Sequence, residues 1–82
     1  MRVTKTTEIA RALAGRGAVI FNDRLAGGRR SLKVWGWKRA DYERCKRALE
    51  DEGLQVEMLS RNAPATYCSP ARVQIRLHVS GD

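Results

Sequence analysis

Ala18-Val19-Ile20-Phe21-Asn22-Asp23-Arg24, then Leu25-Ala26-Gly27-Gly28-Arg29-Arg30, then Ser31-Leu32-Lys33-Val34-Trp35-Gly36-Trp37: the outer two runs are rich in β-branched and aromatic residues, and the middle one holds a glycine pair. Two such runs around Gly27-Gly28 read as a β-hairpin, because both turn residues can take positive φ without strain. A two-residue turn at the glycines sets Phe21 opposite Val34, Asp23 opposite Leu32 and Val19 opposite Gly36. One face of the hairpin is then mostly apolar. The other carries Ile20, Asn22 and Arg24 beside Lys33, Trp35 and Trp37, with Arg29 at the tip. Since side chains alternate, a slip of one residue reverses this grouping.

On the N-terminal side of the hairpin, Thr6-Thr7-Glu8 before Ile9, Ala12 and Leu13 reads as a short helix. A threonine cap and an acid in the first turn favour its start, and Gly15 followed by Gly17 ends it. On the other side, residues 38–52 carry Tyr42, Cys45, Ala48 and Leu49 on one helical face, and Gly53 closes them off. Residues 54–59 read as a third strand and residues 61–71, with Pro64 and Pro70, as a loop. Residues 72–79 alternate cleanly, Val73, Ile75, Leu77 and Val79 against Gln74, Arg76 and His78. The order α-β-β-α-β-β predicts an α+β domain: a four-stranded antiparallel sheet with both helices on one face and the other face open. Its expected core is Val19, Phe21, Leu32, Val34, Tyr42, Cys45, Leu49, Val56, Val73, Ile75 and Leu77. The strand order is left open.

Eighty-two residues make one compact domain that buries about 60–65% of its unfolded surface, enough for one modest core. A hydrophobic share of 43% with 30% charged residues is that of a folded protein. No apolar run approaches the ~18 residues that span a bilayer. The start, Met1-Arg2-Val3-Thr4-Lys5, has no apolar segment after its positive charge, so no signal peptide is expected. Together with the polar end Ser80-Gly81-Asp82, it reads as a whole small gene product. Cys45 and Cys68 are too few for a secreted disulfide framework and fit free thiols in a reducing cytoplasm. One histidine and no Cys-x-x-Cys leave too few soft ligands for a metal. No metal or other cofactor is expected.

Sixteen Lys and Arg against nine Asp and Glu give a net charge of +7. Arginine dominates, and its forked guanidinium suits phosphates and carboxylates. The balance favours a polyanionic partner. On the second helix, Arg39–Glu43, Glu43–Arg47, Lys46–Glu50 and Arg47–Asp51 stand four apart and offset one another. The hairpin cations Arg24, Arg29, Arg30 and Lys33 have only Asp23 near them in sequence, so the unbalanced charge lies there.

Two tryptophans among cations on an open sheet have the chemistry to bind single-stranded nucleic acid: rings accept bases and cations neutralise phosphates. The candidate interface is Arg24, Arg29, Arg30, Lys33, Trp35, Trp37, Arg72, Arg76 and His78, with Arg61 and Tyr67 of the proline loop as a second possible contact. The alternative for the tryptophans is structural, covering a small core under the proline loop or packing at the start of the second helix. The layout is similar to RNA-recognition sheets, although the helix-first order and the missing aromatic motif set it apart. Thr7-Glu8-Ile9-Ala10-Arg11-Ala12-Leu13 resembles the opening helix of helix-turn-helix DNA binders, which would imply a second helix after Gly15 or a winged form with the hairpin as wing.

No nucleophile with a base at a workable spacing stands out, the acids Glu50, Asp51 and Glu52 crowd one helix end, and neither glycine pair is a phosphate loop. The expectation is therefore a non-enzymatic binding module. Nucleic acid, single-stranded first, is the leading partner. An acidic protein or nucleoprotein surface is the second, as for a phage or mobile-element inhibitor or adaptor of the anti-CRISPR kind.

Overall fold

The computed structural model describes residues 4–68 and 70–81. Residues 1–3, Ser69 of the proline loop and Asp82, on which the reading of the two ends and part of that loop fell, lie outside the described residues. α1 (Lys5–Ala14) begins where the Thr7 N–H donates to Thr4 Oγ1 at 3.2 Å, satisfying one of the donors that a helix start leaves over. The chain continues through β1 (Ile20–Arg24), β2 (Arg30–Val34), α2 (Arg39–Asp51), β3 (Gln55–Ala63) and β4 (Arg72–Ser80). All four strands form one antiparallel sheet in the order β1-β2-β4-β3. The α+β architecture is the one the hydrophobic pattern predicts. β2 and β3 therefore run parallel with β4 between them and α2 crossing over, a split β-α-β unit. Read cyclically from β4, the chain gives the β-α-β-β-α-β succession of ferredoxin-like folds.

The hairpin differs from expectation by one residue. Its loop is a three-residue 3-10 turn, Ala26–Gly28, closed by the Leu25 N–H donating to the Arg29 carbonyl at 2.8 Å. Gly27 and Gly28 take φ of 77° and 75°, so the glycines do turn the chain, but Ala26 turns with them. The extra residue shifts the pairing: Ile20 lies opposite Val34, Phe21 opposite Lys33 and Asn22 opposite Leu32. β2 keeps its expected faces, whereas β1 is reversed. Ile20 and Asn22 face the helices, and Val19, Phe21 and Asp23 face away from them. Asn22 is held on its side by donating from Nδ2 to Thr7 Oγ1 at 2.6 Å, which ties β1 to α1.

The core under the helices contains Leu32, Val34, Tyr42, Cys45, Leu49, Ile75 and Leu77 as expected, together with Ala10, Leu54 and Val79. Val56 is half-buried against it. Val19, Phe21 and Val73 are not part of it, being 52, 46 and 59% exposed. The hairpin register turns out the first two. Val73 stands opposite Asn62, where the β3–β4 ribbon runs on past the stretch of β4 that pairs with β2. β3 also runs four residues beyond Leu59, because Ser60, Arg61 and Asn62 pair with Ile75, Gln74 and Val73. Arg61 thus sits in a strand, and the loop is confined to residues 64–71.

Candidate nucleic-acid interface

The register lays the open face out in rows. Asp23, Ser31, His78 and Glu57 cross the four strands side by side, so both acids lie at one end of the sheet, around His78 and the buried Ser31. In the next row Phe21 stands opposite Lys33 and Arg76 opposite Leu59. Phe21, Lys33 and Arg76 share one hollow with Asp23 and Ser31 of the row before. Beyond them, the Trp35 N–H donates to the Val19 carbonyl at 2.9 Å, and Gln74 faces Arg61 across the outer pair. Arg72, opposite Ala63, closes this end. The face is therefore graded, acidic at one end and aromatic and cationic at the other. Trp35 is 62% exposed and Leu59 37%. Phe21, Val19 and Trp35 are exposed together on the β1–β2 side, while Leu59 stands exposed on β3, across Lys33 and Arg76 from them.

The two inner strands separate at the cationic end. β2 and β4 pair only at Arg30–Val79, Ser31–His78 and Leu32–Leu77. At Val34 the place of β4 is taken by a side chain: the Val34 N–H donates to the Tyr42 hydroxyl at 3.1 Å, and that hydroxyl donates to the Val34 carbonyl at 3.0 Å. Burial pushes the Tyr42 phenol above its ordinary pKa, partly offset by the Val34 bond. The parted strands leave a cleft of about 320 Å³ lined by Lys33, Trp35, Trp37, Tyr42, Arg72 and Gln74, among others.

Lys33, Trp35, Arg72, Arg76 and His78 are thus brought to one face, and Arg61 joins them from β3. Trp37 is not on that face. After a turn at Gly36 (φ 83°) it packs edge-on against Tyr42 at 5.1 Å, which is the alternative of packing at the start of the second helix. Arg24 and Arg30, paired with each other, share the parity of Leu32 and Val34 and so lie on the helix side, where Arg30 is half-buried. Arg29, at the tip, donates from Nε to the Ala26 carbonyl at 3.4 Å and borders a hollow with Glu57 and His78 at the acidic end. Tyr67 is fully exposed in the loop. The hairpin cations therefore do not form one patch. Sequence reasoning misses Phe21, Val19 and Leu59 as members of the open face; Ala26 beside the glycine pair, which allows a three-residue turn, is the signal for the first two.

On α2 the expected Arg39–Glu43 and Lys46–Glu50 pairs form at 3.5 and 3.0 Å, and Arg44 takes Asp41. β1 follows α1 where a helix-turn-helix requires a second helix, and the β1–β2 hairpin is built into the main sheet, with β2 an inner strand, so it is no free wing. Among the described residues no group of His, Cys, Asp or Glu could hold a metal ion, and no helix is long and apolar enough to cross a membrane. No family model matches the chain, and no curated protein or solved structure is significantly similar to it.

Proposed function

We propose that this chain is a non-catalytic binding module that holds single-stranded nucleic acid on the open face of its sheet. The carrying observation is the juxtaposition of two exposed rings, Phe21 and Trp35, with Lys33 between them in the register and Arg76 and Arg61 on the neighbouring strands. Phe21 and Trp35 are diagonal cross-strand neighbours, a relation that puts side chains about 7–8 Å apart. Each ring can stack a base for about 1–3 kcal/mol, in any sequence, while the cations neutralise phosphates. A duplex keeps its base faces stacked inside, so an open platform of rings favours unpaired strands. The charge of +7 adds long-range attraction. The reading is tested by titrating labelled single- and double-stranded DNA and RNA at ~50 mM salt and then raising the salt. It requires measurable single-strand binding that weakens steeply with salt, and it is abandoned if none of the four nucleic acids binds.

One observation favours a second reading. Val19 and Leu59 are aliphatic and offer bases no ring to stack on, yet they extend the exposed apolar set. Exposed apolar side chains interleaved with arginines also fit an acidic protein or nucleoprotein surface, the target of a small inhibitor or adaptor such as phages and mobile elements make against host defence, anti-CRISPR proteins among them. Capture from lysate that survives nuclease treatment and changes only modestly with salt would favour this reading over the first.

A further inference from the structure

The parting of β2 and β4 has no need of a ligand to explain how it is held: Tyr42 props the strands open and satisfies both backbone groups of Val34. What it creates is a recess at the cationic end of the open face. Its walls are unlike the rest of the molecule. Trp35, Trp37 and Tyr42 supply aromatic surface, Gln74 supplies an amide with both a donor and an acceptor, and Lys33 and Arg72 stand at the same cleft. At about 320 Å³ the volume is at the lower limit of small-ligand sites. It suits one planar ring system and not an extended molecule. Rings for stacking, an amide for a base edge and cations for the phosphate are the three contacts by which proteins take up an unstacked base.

We propose that the cleft between β2 and β4 receives one base of the bound single strand, turned inward from those that lie on Phe21 and Trp35. This rests on the single-strand reading above and adds to it a position: Arg72 and Lys33 take the phosphate of the inserted nucleotide, Gln74 meets the base edge, and Trp37 lies beside the ring. It separates the two tryptophans by role. Trp35 stands exposed on the outer platform and at the cleft, whereas Trp37 lies off that face and lines the cleft.

The test uses the full chain labelled with nitrogen-15, followed by NMR at ~50 mM salt. The probes are oligodeoxyadenylate and oligoriboadenylate of about eight nucleotides, adenosine 5′-monophosphate, and ribose 5-phosphate as the control without a base. The expected result is that the binding oligonucleotide and the mononucleotide both shift the Trp37 indole N–H and the Gln74 side-chain amide, and that ribose 5-phosphate does not. Gln74→Ala, with its melting temperature checked, should weaken the oligonucleotide about tenfold. If the oligonucleotide binds and shifts Trp35 while Trp37 stays still and Gln74→Ala is neutral, the inserted base is overturned and the platform reading stands. If ribose 5-phosphate shifts the same two signals as much as the mononucleotide does, the cleft is a phosphate site and the proposal is again overturned. If no oligonucleotide binds at all, the single-strand reading itself fails and takes the inserted base with it.

Discussion

Phe21, half in water beside Lys33, has little packing to lose. Phe21→Ala should cost about 1 kcal/mol of stability, whereas Leu32→Ala, at a fully buried site, should cost about 2–5 kcal/mol. Urea unfolding of the two variants measures the contrast, and a Phe21→Ala variant as damaged as Leu32→Ala would refute the hairpin register. The same Phe21→Ala change should weaken single-strand binding by about 1–3 kcal/mol with the salt dependence unchanged, because stacking releases no counterions. The cysteines divide in the same way, by burial. Cys45 is fully buried and its thiol is pushed up to about 11 from 9.0, while Cys68 is exposed. A thiol reagent at pH ~8 should modify Cys68 at once and Cys45 only as the chain unfolds. Folding keeps the Cys45 thiol protonated, so its contribution is intact below the unfolded pKa and is lost as pH rises from about 9 towards about 11, at a slope of up to ~1.4 kcal/mol for each pH step of one. The raised Tyr42 phenol acts in the same sense. Denaturation midpoints across that range should fall less steeply in Cys45→Ala than in the parent.

At the level of elements, Tyr42 does what a strand would otherwise do. Tyr42→Phe keeps the ring and its edge contact with Trp37 but strips the Val34 N–H of its partner and leaves the Val34 carbonyl only the Trp37 N–H at 3.5 Å, and an unpaired buried backbone group costs about 1–3 kcal/mol. The expected outcome is a loss of about 1–3 kcal/mol together with faster exchange of the Val34 amide; unchanged stability would mean that water or β4 serves the Val34 N–H instead. Such a device cannot be read from periodicity, which marks Tyr42 only as a residue on an apolar helix face. What periodicity does reveal is α2 and β4, whose patterns are long and regular, and through them the helix-covered sheet. The faces of β2 are legible too, since Leu32 and Val34 have no polar rivals for the core. β1 is not legible. Val19 and Phe21 are as apolar as Ile20, so only the turn could choose between the two faces, and Ala26-Gly27-Gly28 admits a turn of two residues or three. The extension of β3 is hidden for a different reason. Ser60, Arg61 and Asn62 are weak β-formers that are strands only because β4 lies alongside. Reading Arg61 as loop and reversing β1 hides Phe21, Val19 and Arg61 as members of the candidate face and assigns to it Arg24, which lies on the helix side.

At the scale of the whole molecule, the charge is less a property of the hairpin than of one end of the sheet. Replacing Lys33, Arg61 and Arg76 by alanine should lower the log–log salt slope of single-strand binding by about 0.7–0.9 for each contact removed. Replacing Arg24, Arg29 and Arg30 removes as much net charge and should change the slope less. Fluorescence anisotropy of the two triple variants over a salt series decides it, and the reverse ranking would move the site to the hairpin tip. The three-pair junction between β2 and β4 also has a mechanical meaning. The β3–β4 ribbon is stitched by nine residue pairs and the β1–β2 ribbon by five, so each ribbon is stiffer in itself than the seam that joins them. Load applied across the strands would concentrate at Arg30–Val79, Ser31–His78 and Leu32–Leu77, the short seam whose Leu32 and Leu77 are both buried. The molecule would part there first, as two ribbons each still whole.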